Sequence, residues 1–121
     1  MAIGSFTELR AYVLAAELAD DIRGAALTWP SFDRWSAGLQ FVRAADSIGA
    51  NLAEASGRWH YADRRRFLYI ARGSLEETAH WALRAEARGL RLADNLGDRI
   101  EEIGRLINGL IRSTSRNALN H

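Results

Sequence analysis

The stretch that decides the fold, residues 40–54, reads QFVRAADSIGANLAE. Polar residues recur in it at intervals of three and four, and nearly all the positions between them are apolar or small. Because an α-helix has about 3.6 residues per turn, this period predicts a helix that is mostly buried and carries one polar stripe. The stripe consists of Gln40, Arg43, Ser47, Asn51 and Glu54.

Three further segments with helical periodicity surround this one. The first opens with Ser5 and Glu8 at the spacing of a capping box, and Pro30 sets its limit because a residue before proline is pushed out of the α region. Gly57 and Gly89 suit the left-handed residue that ends many helices. We therefore predict a single domain over residues 1–121 with helices at about 6–27, 33–56, 62–88 and 94–113, followed by a frayed tail.

The connections between these helices are short, which forces each helix to turn back on the one before it. Composition agrees with a helical domain, since all 16 basic residues are Arg, Ala is abundant and β-branched residues are few. A chain of 121 residues with 48% hydrophobic content suits one globular domain. The expected fold is all-α, an up-down-up-down antiparallel four-helix bundle.

The absence of certain residues and patterns excludes several classes of protein. The chain has no Cys, which excludes disulfides, thiolate zinc sites and a cysteine nucleophile. No run of about 18 apolar residues occurs, and the first residues lack the charged and apolar regions of a signal peptide. We expect a cytoplasmic protein with no membrane partner.

The polar stripe needs partners if its helix is buried. Pairing the second and third helices as an antiparallel hairpin places Arg43 near Glu76 or Glu77, Ser47 near Arg72 and Gly73, and Glu54 near residues 64–66. We interpret the stripe as a polar network that fixes the helix register, with a ligand site or pore lining as the alternative. The predicted network comprises Gln40, Arg43, Ser47, Asn51, Glu54, Arg72, Ser74 and Glu77.

Signatures of catalysis are weak in this sequence. Glu77 and His80 have the Glu-x-x-His spacing of di-iron bundles, but those proteins need two such motifs and two further Glu residues. No Gly-rich loop follows a strand, and nothing positions a Ser-His-Asp arrangement. We predict no catalytic residue, no metal site, no cofactor and no enzymatic activity.

The best candidate for a functional site is the Arg-rich segment of residues 58–66, which includes the turn between the second and third predicted helices. Arginine binds phosphates through its planar fork, and aromatic rings stack on bases of single-stranded nucleic acid. The alternative is that some of these arginines pair with Glu54 and Asp63 while the rest are solvated. In the predicted bundle the end of the fourth helix lies at the same end, so the candidate nucleic-acid site consists of Arg58, Trp59, Arg64, Arg65, Arg66, Arg112 and Arg116.

Two segments resemble a known family. Residues 40–54 are similar to its pattern Q-x-x-R-A-A-x-S-I-x-x-N-[IL]-A-E, and residues 67–77, FLYIARGSLEE, are similar to F-L-x-I-A-[RK]-G-S-L-x-E. These patterns mark the bacterial four-helix-bundle proteins also called 23S rRNA intervening-sequence proteins. Ala55 departs from the family, which usually has Gly there.

The resemblance also has implications for the assembly and the partners of the protein, which the residues alone do not give. The family is similar to the accessory protein of diversity-generating retroelements, a pentameric bundle that binds nucleic acid beside a reverse transcriptase. The resemblance thus implies a ring-like homopentamer that binds RNA or DNA, either as an accessory factor to a reverse transcriptase or as a protein associated with an rRNA insertion. Its further partner is then a reverse transcriptase or another protein. The alternative is a structural or adaptor oligomer that binds a protein partner without touching nucleic acid.

Oligomerisation also has support from the residues. The third helix carries large apolar residues in directions that cover more than one face, which a single small bundle does not bury. Trp29, Trp35 and Trp59 add apolar surface at the helix ends, although some of them can cap the bundle within one chain.

Overall fold

The computed structural model describes residues 5–119, and all the regular structure in this range is helical. Helix α1 is Phe6–Ala26, and α2 covers residues 31–56 as an α-helical turn Ser31–Asp33, a π-helical segment Arg34–Gly38 and the α-helix Leu39–Ser56. Helix α3 is Tyr61–Ala87 and α4 is Leu96–Leu119. The predicted all-α fold with four helices is confirmed.

The four helices pack in a closed cycle, each against the next and α4 against α1. Pairs of contacting residues show the antiparallel direction of α3 and α4, because Arg65 contacts Ser115 whereas Arg72 contacts Asn108. Short connections join the helices, as in an up-down-up-down bundle.

Local signals account for several helix ends. The capping box of α1 is present, with the Glu8 N–H donating to Ser5 Oγ at 3.1 Å and the Ser5 N–H donating to a Glu8 carboxylate oxygen at 3.2 Å. Gly89 adopts the predicted left-handed conformation with φ 69°. The same prediction for Gly57 is wrong: its φ is −84°, and its N–H donates to carbonyls of the last turn of α2.

Large apolar side chains from all four helices fill the centre of the bundle. Since hydrophobic stabilisation grows with the apolar area removed from water, these side chains contribute most of the packing energy. Thr78 joins them because its hydroxyl donates to the Ser74 carbonyl at 2.8 Å, which satisfies the buried polar group. The largest fully buried side chains are Leu18, Ile22, Phe41, Ile48, Thr78, Ile103 and Ile107.

Trp29 closes one end of the core. Its ring is 3% exposed and stacks on Phe41 with the centroids 6.1 Å apart, and its indole N–H donates to the Arg91 carbonyl at 2.7 Å. Of the three tryptophans expected at helix ends, Trp29 thus caps the bundle within the chain, whereas Trp35 and Trp59 are exposed.

Helix α4 continues beyond the predicted end near Ser113. Thr114 is buried and extends the apolar seam of the helix, and Arg65 donates to Ser115 Oγ at 3.5 Å. These contacts favour helix over solvated coil, so the predicted fraying is wrong as far as Leu119. Asn120 and His121, the rest of the predicted tail, lie outside the described residues.

The two phenylalanines of α2 offer a matched test of this packing. Phe41 is 0% exposed and Phe32 is 84% exposed. We expect Phe41→Ala to lower the free energy of unfolding by about 3–5 kcal/mol, because it removes buried contacts and leaves a cavity. The same substitution at Phe32 should change it by less than about 0.5 kcal/mol. Urea denaturation followed by circular dichroism measures both, and equal losses would contradict this account of the core.

Candidate nucleic-acid interface

One end of the bundle gathers the arginines singled out in the sequence. It consists of the start of α1, the end of α2, the loop of residues 57–60, the start of α3 and the end of α4. We call it the Arg-rich end. Its members are Arg58, Arg64, Arg65, Arg66, Arg112 and Arg116, together with Trp59.

The carboxylate of Glu8 links three helices at this end. Its Oε2 accepts hydrogen bonds from the Ser5 N–H at 3.2 Å and from the Ser56 hydroxyl at 3.0 Å. Its Oε1 accepts one from the guanidinium of Arg64. The Glu8 side chain is 12% exposed and that of Arg64 is 29% exposed, so solvent screens this ion pair only partly. Arg64 therefore has a structural role and is not available to a ligand.

Arg58 and Arg66 are also engaged within the chain. Arg58 pairs with Glu54 at 2.9 Å, and Arg66 lies 3.8 Å from Asp63. Both guanidinium groups lie over the ring of Phe67, at 4.6 and 4.5 Å from its centroid. Cation–π contacts and exposed ion pairs are each worth about 1 kcal/mol or less, so a phosphate can compete for these two side chains.

Arg65, Arg112 and Arg116 form no ion pair or cation–π contact with any residue that the structure describes. Among residues 5–119 no carboxylate oxygen lies within 4.0 Å of any of them. The only hydrogen bond that their guanidinium groups make within the described residues is the 3.5 Å contact from Arg65 to the Ser115 hydroxyl. They lie on the adjacent helices α3 and α4, and Arg112 and Arg116 are exposed. These three cations are available to an anionic ligand.

Trp59 lies in the loop before α3 and is 94% exposed. An indole ring in this position offers an apolar face that a nucleic-acid base can cover. The structure thus places an aromatic surface and unpaired cations at the same end of the bundle.

The predicted polar network is present only in part. The Ser47 hydroxyl donates to Ser74 Oγ at 2.6 Å, and the Asn51 amide donates to the Ser47 carbonyl at 2.8 Å. Arg72 is engaged on the other side of α3, where it donates to Asn108 Oδ1 at 3.2 Å and lies over the ring of Tyr69.

The remaining predicted pairings are wrong. No ion pair or hydrogen bond within residues 5–119 joins Arg43 to Glu76 or Glu77, and Glu54 pairs with Arg58 instead of residues 64–66. The stripe follows the edge of the α2–α3 interface, so Ser47 and Asn51 point inward while the other members are in solvent. The exposed members of the predicted network are Gln40, Arg43, Glu54 and Glu77.

Sequence reasoning missed several functional neighbours. It assigned Glu8 only to the capping box, and it did not identify Asn108 or Ser115 as partners of the third helix. The carboxylate of Glu102 on α4 pairs with Arg10 on α1 at 2.5 Å, a contact between helices that the sequence did not predict. Asn108 and Ser115 lie on the face of α4 that packs against α3. Their position on this face could have identified them from the sequence.

Three further observations concern metal binding, His80 and membrane insertion. In the described part of the chain no group of three or more His, Asp and Glu side chains is arranged to hold a metal ion. His80 is exposed and makes an edge contact with Trp81 at 4.9 Å between the ring centroids. None of the helices within residues 5–119 has the length and apolar character needed to cross a membrane.

Replacing Glu8 by Gln tests its role at the Arg-rich end. We expect Glu8→Gln to lower the free energy of unfolding by about 1–3 kcal/mol, because it leaves the partly buried Arg64 without a counterion. Glu54→Gln removes the same charge from an exposed pair and should cost less than about 0.5 kcal/mol. Urea denaturation at low salt compares the two variants, and a larger loss for Glu54→Gln would contradict the assignment.

Comparison with known proteins adds one match. A family model described as 23S rRNA-intervening sequence protein matches residues 7–109, from α1 through to the middle of α4. Both segments quoted for the resemblance lie within this range. None of the curated proteins searched matches the chain.

Proposed function

Since the chain belongs to the 23S rRNA-intervening sequence protein family, we propose that it is a non-enzymatic, homo-oligomeric bundle that binds RNA through its Arg-rich end. The observation that carries this proposal is the set of three arginines without a carboxylate partner, Arg65, Arg112 and Arg116, at the same end as the exposed Trp59. The family description supports an RNA-related role, and DNA is the second polymer that the same chemistry would accept.

The geometry suits a phosphate backbone. Arg112 and Arg116 are one helical turn apart, about 6 Å along the axis of α4. Arg65 lies beside them on α3, at the level of Ser115. Arg58 and Arg66 add two cations whose internal contacts are weak enough to exchange for phosphate contacts. Trp59 contributes stacking, which is tolerant of sequence because every base has a flat face.

Self-association is supported by apolar surface on α1. Phe6, Leu9 and Val13 form one stripe along the helix, and all three are exposed. Apolar patches of this kind commonly mark contacts between proteins. In a ring of parallel subunits, pentameric as the resemblance implies, the Arg-rich ends share one rim and strengthen RNA binding by multivalency. A reverse transcriptase is the protein partner that such an RNA-bound ring would assist.

RNA binding is tested by fluorescence anisotropy with a labelled single strand and a labelled hairpin over a KCl series. We expect affinity to fall as salt rises, because phosphate contacts release counterions. The triple variant Arg65→Ala, Arg112→Ala, Arg116→Ala should lower the slope of log Kd against log salt by about 2 for the single strand, since each phosphate contact contributes about 0.7.

The matched control removes three arginines from the opposite end, at Arg84, Arg88 and Arg91, and should bind as the wild type does. Equal affinity of both triple variants would show that the site is elsewhere. Absence of RNA binding at physiological salt, with capture of a protein partner, would instead support the adaptor alternative.

The oligomer is tested by light scattering of the wild type and of Leu9→Asp. A chain mass of 13.5 kDa sets the monomer value. We expect the wild type to show a multiple of this mass, and Leu9→Asp to show a smaller multiple with unchanged helical content, because a charge on the stripe opposes its burial. The control Leu83→Asp introduces the same charge at another exposed position, on α3. A monomeric wild type would contradict the proposed assembly.

A further inference from the structure

A cleft of about 390 Å³ lies at the end of the bundle opposite the Arg-rich end. It is formed by the last turns of α1 and the first turns of α2. Apolar side chains cover most of its inner surface, among them Leu27, Leu39 and Val42. A volume of this size is typical of sites for small organic molecules, which are mostly apolar with a few polar groups that orient the ligand.

Two cations border this apolar surface. Neither Arg23 nor Arg34 has a carboxylate oxygen within 4.0 Å among residues 5–119. Arg34 donates one long hydrogen bond, 3.4 Å, to the Leu27 carbonyl, and its Nε is buried without an acceptor in the described structure. Nε is enclosed by the protein and cannot meet a ligand. Among residues 5–119, however, the terminal nitrogens of this guanidinium make only that one long hydrogen bond, so they can bind an anion that enters the cleft.

The backbone at this place is unusual. Arg34 and Trp35 are the first residues of the π-helical segment. This conformation is rare in proteins as a whole, and where it occurs it is often at a functional site. Gly38 ends the segment, and a Cβ there would lie 3.2 Å from the Asp33 carbonyl oxygen and 3.4 Å from the ring of Trp29. The absence of a side chain at Gly38 thus lets the segment pack closely against the end of the core.

Trp35 adds an aromatic wall to the cleft. It is 68% exposed, and the guanidinium carbon of Arg34 is 5.8 Å from its ring centroid. A flat or extended apolar group can therefore lie against the indole while its charged end stays near the guanidinium. Exposed tryptophan and an unpaired arginine side by side favour a ligand that is both apolar and anionic.

We propose that the cleft binds a small carboxylate with an apolar body. The carboxylate pairs with Arg34 and Arg23, and the apolar body lies against Leu27, Leu39 and Trp35. Because the cleft and the Arg-rich end lie at opposite ends of the bundle, this site and the proposed RNA site can be tested separately.

The first experiment titrates the full chain with octanoate and follows the indole N–H signals by nitrogen-15 NMR. Trp35→Phe identifies the Trp35 signal among those of the four tryptophans. We expect octanoate to shift this signal saturably, and 1-octanol, which has the same apolar body without the charge, to bind at least tenfold more weakly. Absence of saturation, or equal binding of octanol, would overturn the proposal.

The second experiment compares charge-matched variants. Arg34→Gln and Arg23→Gln should each weaken octanoate binding at least fivefold, whereas Arg84→Gln, an exposed arginine outside the cleft, should leave it unchanged. Arg23 is exposed on α1, so its variant gives a reading even if Arg34→Gln unfolds. Equal weakening by all three variants would show non-specific attraction and overturn the proposal.

Dilution of the protein without octanoate is a further control. A Trp35 signal that moves on dilution would show that a second copy of the chain covers the cleft, and this result would also overturn the proposal.

Discussion

The carboxylate of Glu8 is the contact on which the Arg-rich end depends. Hydrophobic packing holds the four helices together, but it is not directional and does not by itself fix how far each helix extends past its neighbours. Hydrogen bonds do fix this, because they tolerate only small changes in distance and angle. Glu8 accepts them from its own helix, from Ser56 at the end of α2 and from Arg64 on α3. It thereby sets the level of three helices at once.

The same contact divides the arginines into two groups. Arg64 is held by Glu8, and Arg58 and Arg66 lie over Phe67 and near carboxylates. The cations left over, on the outer parts of α3 and α4, determine where a phosphate backbone would bind. At the other end of the bundle Arg34 and Arg23 likewise have no carboxylate partner among residues 5–119, but they border an apolar cleft. A net charge of +1 thus conceals two cationic surfaces of different character.

Much of the fold follows from local patterns. Apolar periodicity predicts the four helices, the Ser5 and Glu8 spacing predicts the cap of α1, and the proline at position 30 marks the break before α2. The π-helical segment was not predicted, because it changes the helical period over only five residues. The contact between Ser47 and Ser74 could be predicted from the sequence, because antiparallel pairing of α2 and α3 gives the level of each residue along the helix axis. The failure for Arg43 and Glu77 has a different cause: pairing gives the level along the helix, but not whether a side chain at the interface edge points inward.

The sequence by itself determined the helical class and the order of the helices, because these depend on periodicity and on local turn chemistry. The tertiary structure alone decided which arginines remain free. An ion pair forms only where two side chains come within about 4 Å of each other. The pairs of Arg58 with Glu54 and of Arg66 with Asp63 are local. Two other pairs join residues far apart in the chain, 56 residues for Glu8 with Arg64 and 92 residues for Arg10 with Glu102. No local pattern carries that information, so the candidate interface is narrowed to Arg65, Arg112 and Arg116 only when the packed helices are known.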